Sequence, residues 1–250
     1  VSRLATTEHP DWIAPLIPQP MRTARAVPRS VHWRAVEFVV LFFAVPGLAA
    51  VDLLPGKAVF PLLFVGCGIC LTMLLLDRRF RRRQLWNFRA VERQWKAVVL
   101  PFVIGAALLT VWTLAFDRDL LLRLPREKPG LWLMIMCFYP LVSVYPQEVI
   151  YRAFVFHRYR RLFPQAWMRI AASAVAFGWV HVLFYNAFAV VLTLLGGVLF
   201  AWTYERSRSL LAVSIEHALY GCYLFTIGLG WYFYSGSRAA VEAAANAAGG

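Results

Sequence analysis

Three short stretches of an otherwise apolar chain carry the side chains that could do chemistry. In Tyr145–Phe154, Gln147, Glu148, Tyr151 and Arg152 recur every three to four residues and share one helical face. Glu148 and Arg152 are spaced i,i+4, so an ion pair between them would keep the carboxylate ionised. In Ala176–His181, a single imidazole ends an apolar run. In Ser214–Gly221, Glu216 and His217 are adjacent and point to different sides of a helix, with Tyr220 and Gly221 one turn further on. A carboxylate with two imidazoles can activate water by general-base catalysis, directly or on a bound metal. Glu148, His181 and His217 also match a catalytic zinc set with an open fourth position. Each stretch alone would equally serve as an ion-pair pin or an interhelical hydrogen bond.

Spacing links the first two stretches. Leu162, Phe163 and Pro164 form a turn, with Glu148 fourteen residues before it and His181 seventeen after it. At 1.5 Å per helical residue both would lie roughly 21–26 Å from the turn, at similar depth on antiparallel helices.

The elements that must hold these residues are membrane helices. The chain has 250 residues, 60% hydrophobic and only 16% charged, with mean hydropathy +0.59. That is more apolar surface than a water-facing fold of this size can hide. A bilayer core needs roughly 20 helical residues to cross. Apolar runs of about that length, or somewhat shorter, fall at 36–50, 59–76, 97–116 and 131–145. The run 170–204 is long enough for two spans, and 210–234 could be two short ones. The expectation is an all-α polytopic membrane protein with seven or eight transmembrane helices. Residues 31–234 would form a single transmembrane domain, between a flexible cytoplasmic arm (1–30) and a disordered tail rich in Ala and Gly (235–250).

The net charge of +13 invites a nucleic-acid reading, but its distribution argues against one. Arg78, Arg79, Arg81, Arg82, Arg83, Arg89, Arg93 and Lys96 fill one connection, while the loops on either side of it in the chain are poor in basic residues or mixed in sign. This alternation follows the positive-inside rule, and places the N-terminus in the cytoplasm of a multi-pass plasma-membrane protein. The Arg78–Arg83 cluster could attract anionic headgroups. The spacing Cys67-x-x-Cys70 has no further Cys or His near it in sequence and reads as two small apolar residues.

Taken in order, the three stretches resemble the CAAX protease and bacteriocin-processing (CPBP, or Abi) family of intramembrane proteases. Its pattern is Glu-Glu-x-x-x-Arg, Phe-x-x-x-His and His-x-x-x-Asn or Asp on three helices. Here the motifs read Gln147-Glu148-Val-Ile-Tyr-Arg152, Phe177-Gly-Trp-Val-His181 and His217-Ala-Leu-Tyr-Gly221, with a protease-like core over about 130–225. The resemblance implies an endopeptidase cutting a peptide or protein segment in the membrane or at its cytoplasmic edge. It makes Glu148 and His181 the water-activating pair, and His217 an oxyanion donor or a third metal ligand. Arg152 would orient Glu148, and Gln147, Tyr151, Phe177 and Tyr220 would support or bind substrate. Zinc is left open, as is oligomeric state.

Two positions depart from the pattern. Gln147 stands where a glutamate is expected and cannot take a proton. Gly221 stands where Asn or Asp would supply a polar side chain, and Tyr220 or Tyr151 could supply a hydroxyl instead. These departures keep open a non-catalytic scaffold or immunity-type relative. The intramembrane ionisable residues Glu148, His181, Glu216 and His217 leave a third reading, a proton or ion transporter, against which stands the lack of a recognisable inverted repeat in the sequence.

Overall fold

The computed structural model describes residues 29–51 and 59–233; the terminal arm and tail lie outside them. Seven long helices account for most of the described chain. They are α1 (Val31–Ala50), α2 (Val59–Leu76), α3 (Phe88–Phe116), α4 (Pro129–Arg158), α5 (Ala166–Phe184), α6 (Ala187–Ser207) and α7 (Leu210–Ile227). No strand occurs among the described residues. Six of the helices are long and apolar enough to cross a bilayer, and within α2 Phe60–Leu76 is a shorter apolar helix. The chain is an all-α polytopic membrane protein.

Two boundaries differ from expectation. The run 131–145 does not stop at Tyr145: α4 continues to Arg158, so Glu148 and Arg152 lie inside a long span. Two of its turns are π-helical, Pro140–Val144 and Val149–Phe154, with Tyr145–Glu148 between them. The run 210–234 gives one span, not two. α7 closes at Gly228, whose φ of +98° is left-handed and whose missing side chain leaves room for the Leu120 carbonyl. A 3-10 turn, Leu229–Phe233, follows.

The arginine-rich ends of the helices are tied together by polar bonds. Arg158 makes a two-pronged pair with Glu37 of α1 at 3.0 and 2.8 Å, and the Tyr159 hydroxyl donates to the same carboxylate at 2.9 Å. Arg169 of α5 holds Glu205 of α6 at 2.9 Å, and His157 meets Asp77 at 2.8 Å. Above these bonds sits an aromatic core of Phe38, Phe42, Tyr159, Phe154 and Tyr151. Toward the other ends of the helices the bundle opens into a cavity of about 1120 Å³.

Candidate active site

Glu148, Arg152 and Glu216 are the fully buried charges among the described residues. The burial of Glu148 and Arg152 side by side is a costly arrangement unless each is compensated. Arg152 Nε lies 3.2 Å from Glu148 Oε2. The contact has an ion-pair distance without hydrogen-bond alignment, since neither atom has a hydrogen-bond partner among the described residues. The guanidinium rests instead over the Phe177 ring, 4.5 Å from its centroid, with Phe200 at 5.7 Å.

The other carboxylate oxygen reaches across to α7. His217 Nδ1 lies 2.8 Å from Glu148 Oε1. A carboxylate only accepts, so Nδ1 carries the proton and the lone pair of a neutral ring sits on Nε2. The ring is stacked on Phe200, 4.6 Å between centroids, and edge-on to Phe177 at 5.5 Å. This clamp turns Nε2 toward the cavity, whose wall His217 lines. Glu148 does not reach that wall; it stands behind the imidazole. Glu216 is also fully buried and off the wall.

His181 reaches the same cavity from α5. Its Nδ1 bonds the Phe177 carbonyl at 2.7 Å. A carbonyl also only accepts, so here too Nε2 is the free nitrogen. Phe177 therefore touches both imidazoles and the guanidinium, which gives the matched phenylalanine of the second motif a physical task. No hydrogen bond or ion pair joins Glu148 to His181 among the described residues. The hydrogen-bonded partner of Glu148 is the second histidine, while the first bonds the Phe177 carbonyl on its own helix.

Gln147, Phe177 and Tyr220 line the cavity; Tyr151 does not. Gln147 Nε2 donates to Ser143 Oγ at 2.8 Å, which leaves its carbonyl oxygen available. Tyr151 is turned away into the aromatic core, between Phe42 and Phe177.

The residue that sequence reasoning missed is Tyr139. Its hydroxyl lies 3.5 Å from His217 Nε2, at the long edge of hydrogen bonding, so the phenol is not firmly committed to the ring. It also fills the space beside Gly221: a Cβ built there would collide with the phenol ring and its oxygen. The hydroxyl thus occupies the volume that a polar side chain at position 221 would take. A signal was available in the chain. Tyr139, Ser143 and Gln147 are spaced four apart on an apolar helix, and all three line the cavity.

The donors do not fit a three-ligand zinc centre. Among the described residues no three His, Cys, Asp or Glu side chains converge as a metal set, and the Glu148 carboxylate is turned to His217 and Arg152.

Residues 128–223 match the family model described as type II CAAX prenyl endopeptidase Rce1-like. The match spans the segment that carries Tyr139, Glu148, His181, His217 and Gly221, and it supports the CPBP family assignment. No curated protein and no solved structure matches the chain.

Proposed function

We propose, with the CAAX-protease family assignment as premise, that the chain is an intramembrane endopeptidase whose water is activated by His217 backed by Glu148. The observation that carries this reading is the Glu148–His217 bond of 2.8 Å behind a cavity wall that also presents His181 and Tyr139. A buried carboxylate bonded to Nδ1 fixes the tautomer and leaves Nε2 as the nitrogen that can take a proton. In the proposed step, water gives a proton to His217 Nε2 and its oxygen bonds to the scissile carbonyl carbon. The electron pair of the C=O bond moves to oxygen, where the Tyr139 hydroxyl donates a hydrogen bond. The C–N bond then breaks, and the proton held on His217 passes to the leaving amine. His181 Nε2 supplies a second hydrogen-bonding group on the same wall.

Substrate would be a peptide or protein segment reached from the bilayer. The cavity extends toward Trp112, Phe184 and Phe233, at the ends of the helices opposite the arginines. With the N-terminus in the cytoplasm of a plasma-membrane protein, as the loop charges imply, access is from the lipid or the far leaflet and not from the cytoplasmic edge.

The test uses purified protein in liposomes with quenched peptides, some ending in a prenylated CAAX sequence and some unmodified. His217→Ala and Glu148→Gln are expected to abolish cleavage, and Tyr139→Phe to slow it by about 10²-fold. Undiminished cleavage by His217→Ala overturns the assignment. Zinc is decided in the same preparation: stoichiometric zinc in the wild type that is lost in His181→Ala would replace this scheme with a metal-based one.

A second reading is a non-cutting relative that binds peptides. The neutral Gln147 on the cavity wall, bonded to Ser143, favours it. Cleavage that appears only in Gln147→Glu would establish it.

A further inference from the structure

At the other end of the molecule a second concavity, about 660 Å³, is lined by Arg81, Arg83, Arg89, Arg93 and Arg208, with Glu92 as the one acidic side chain. Five positive and one negative side chain sum to +4. Among the described residues Arg81, Arg83, Arg89 and Arg93 have no ion-pair partner. Arg208 is held by Glu205 at 2.5 Å. Like charges gathered at one concavity repel unless an anion joins them.

The basin is a built feature of the fold. The segment that carries Arg81 and Arg83 is pinned by buried Phe80 and Leu85. The Tyr204 hydroxyl donates to Gln84 Oε1 at 3.1 Å, and Ser209 Oγ donates to the Asn87 carbonyl at 3.2 Å. Gln84 and Asn87 belong to the same lining. These bonds tie the loop to the ends of α6 and α7, so the backbone that carries the arginines is held in place before any ligand arrives.

Its position says what the ligand is. The basin opens at the start of α3, where Trp86, Phe88 and Trp95 are exposed. Exposed aromatic rings at the end of a spanning helix mark the headgroup level of a bilayer. The candidate active-site cavity is remote: Gly105, on its wall, lies twelve residues beyond Arg93 on the same helix, about 18 Å away.

We propose that this basin binds an anionic lipid through its phosphates, and that its charge suits a headgroup with two phosphate groups over one with a single phosphodiester. The guanidiniums would engage phosphate oxygens by paired hydrogen bonds. This site is independent of the peptidase reading and stands or falls separately from it.

The experiment is native mass spectrometry of the whole protein released from nanodiscs. Three compositions are compared: phosphatidylcholine alone, with phosphatidylglycerol, and with cardiolipin at equal total phosphate. Retention of cardiolipin above phosphatidylglycerol, and of both above phosphatidylcholine, is expected. The triple variant R83Q/R89Q/R93Q is expected to bind cardiolipin about a hundredfold more weakly, and R83K/R89K/R93K to fall between it and the wild type, because the charge is kept and the paired hydrogen bonds are lost. Circular dichroism checks that both variants retain their helices. Wild-type retention by the glutamine variant overturns the site. Equal retention of the two anionic lipids overturns the two-phosphate preference. Displacement of cardiolipin by inorganic pyrophosphate at equal concentration would mean a soluble phosphate ligand and overturns the lipid assignment.

Discussion

The two ends of the bundle solve the problem of polar groups in a membrane protein in opposite ways. At the arginine-rich end the charges are close to the surface and paired between helices, as in Arg158–Glu37 and Arg169–Glu205. Those side chains remain 12–32% exposed, so water or headgroups can compensate whatever the pair does not. Deeper in, Glu148 and Arg152 have no exposure and rely on one imidazole and two aromatic faces. The first arrangement fastens helices. The second leaves a guanidinium without aligned hydrogen bonds beside an imidazole whose free nitrogen faces a cavity, which is a poor fastener and the kind of arrangement found where chemistry is done.

The contrast can be broken by measuring what each pair contributes. Glu148→Ala takes from Arg152 its ion-pair partner in the core, and is expected to lower stability by about 3–5 kcal/mol in thermal unfolding of the detergent-solubilised protein. Gly221→Ala drives a methyl group into the Tyr139 phenol and is expected to cost about 1–3 kcal/mol. Tyr139→Ala in the same chain should recover most of that loss, and a double-mutant cycle reads the coupling. Arg158→Ala, at the other end, should cost about 1 kcal/mol or less, because Glu37 stays near enough to the surface to be rehydrated. A larger loss for Arg158→Ala than for Glu148→Ala would reverse the comparison.

The smallest effect concerns Asp77. His157, followed by the backbone N–H of Arg79, bonds its carboxylate and holds its pKa below the usual aspartate value of 3.8. A depressed carboxyl pKa stabilises the fold above the unfolded value and loses that contribution as pH falls through the folded one. Unfolding scans should therefore show a slight loss of stability confined to pH below about 4. Asp77→Asn should lack it.

The sequence made the membrane helices legible because runs of apolar residues and the charges between them report directly on a bilayer. It also marked Glu148, His181 and His217 as belonging together. Their pairing was not legible. Distance from a presumed turn set Glu148 opposite His181, but residue counting says nothing of which way a carboxylate turns, and this one turns to His217 on α7. Tyr139 escaped for a different reason. Its role depends on a void at Gly221, 82 positions away, and a void has no sequence signature until the two helices are packed. Tyr151 lies on the shared face that spacing assigned to it only if the helix is regular; the π turn beginning at Val149 intervenes, and its ring packs in the aromatic core.

Those π turns bear on how this site tolerates change in length. Each holds one residue more than a regular turn would, and each residue turns a helix by about 100°. Deleting a single residue from Pro140–Val144 would let that turn relax to regular α-helix while leaving the rest of the span in place. Inserting one beside it would add a further rotation. The insertion, unlike the deletion, would swing Tyr139 and Glu148 relative to one another without altering any of the side chains named here. The segment is thus better described by its phase than by its composition, and a family alignment that forbids a gap there would pair residues that face different neighbours.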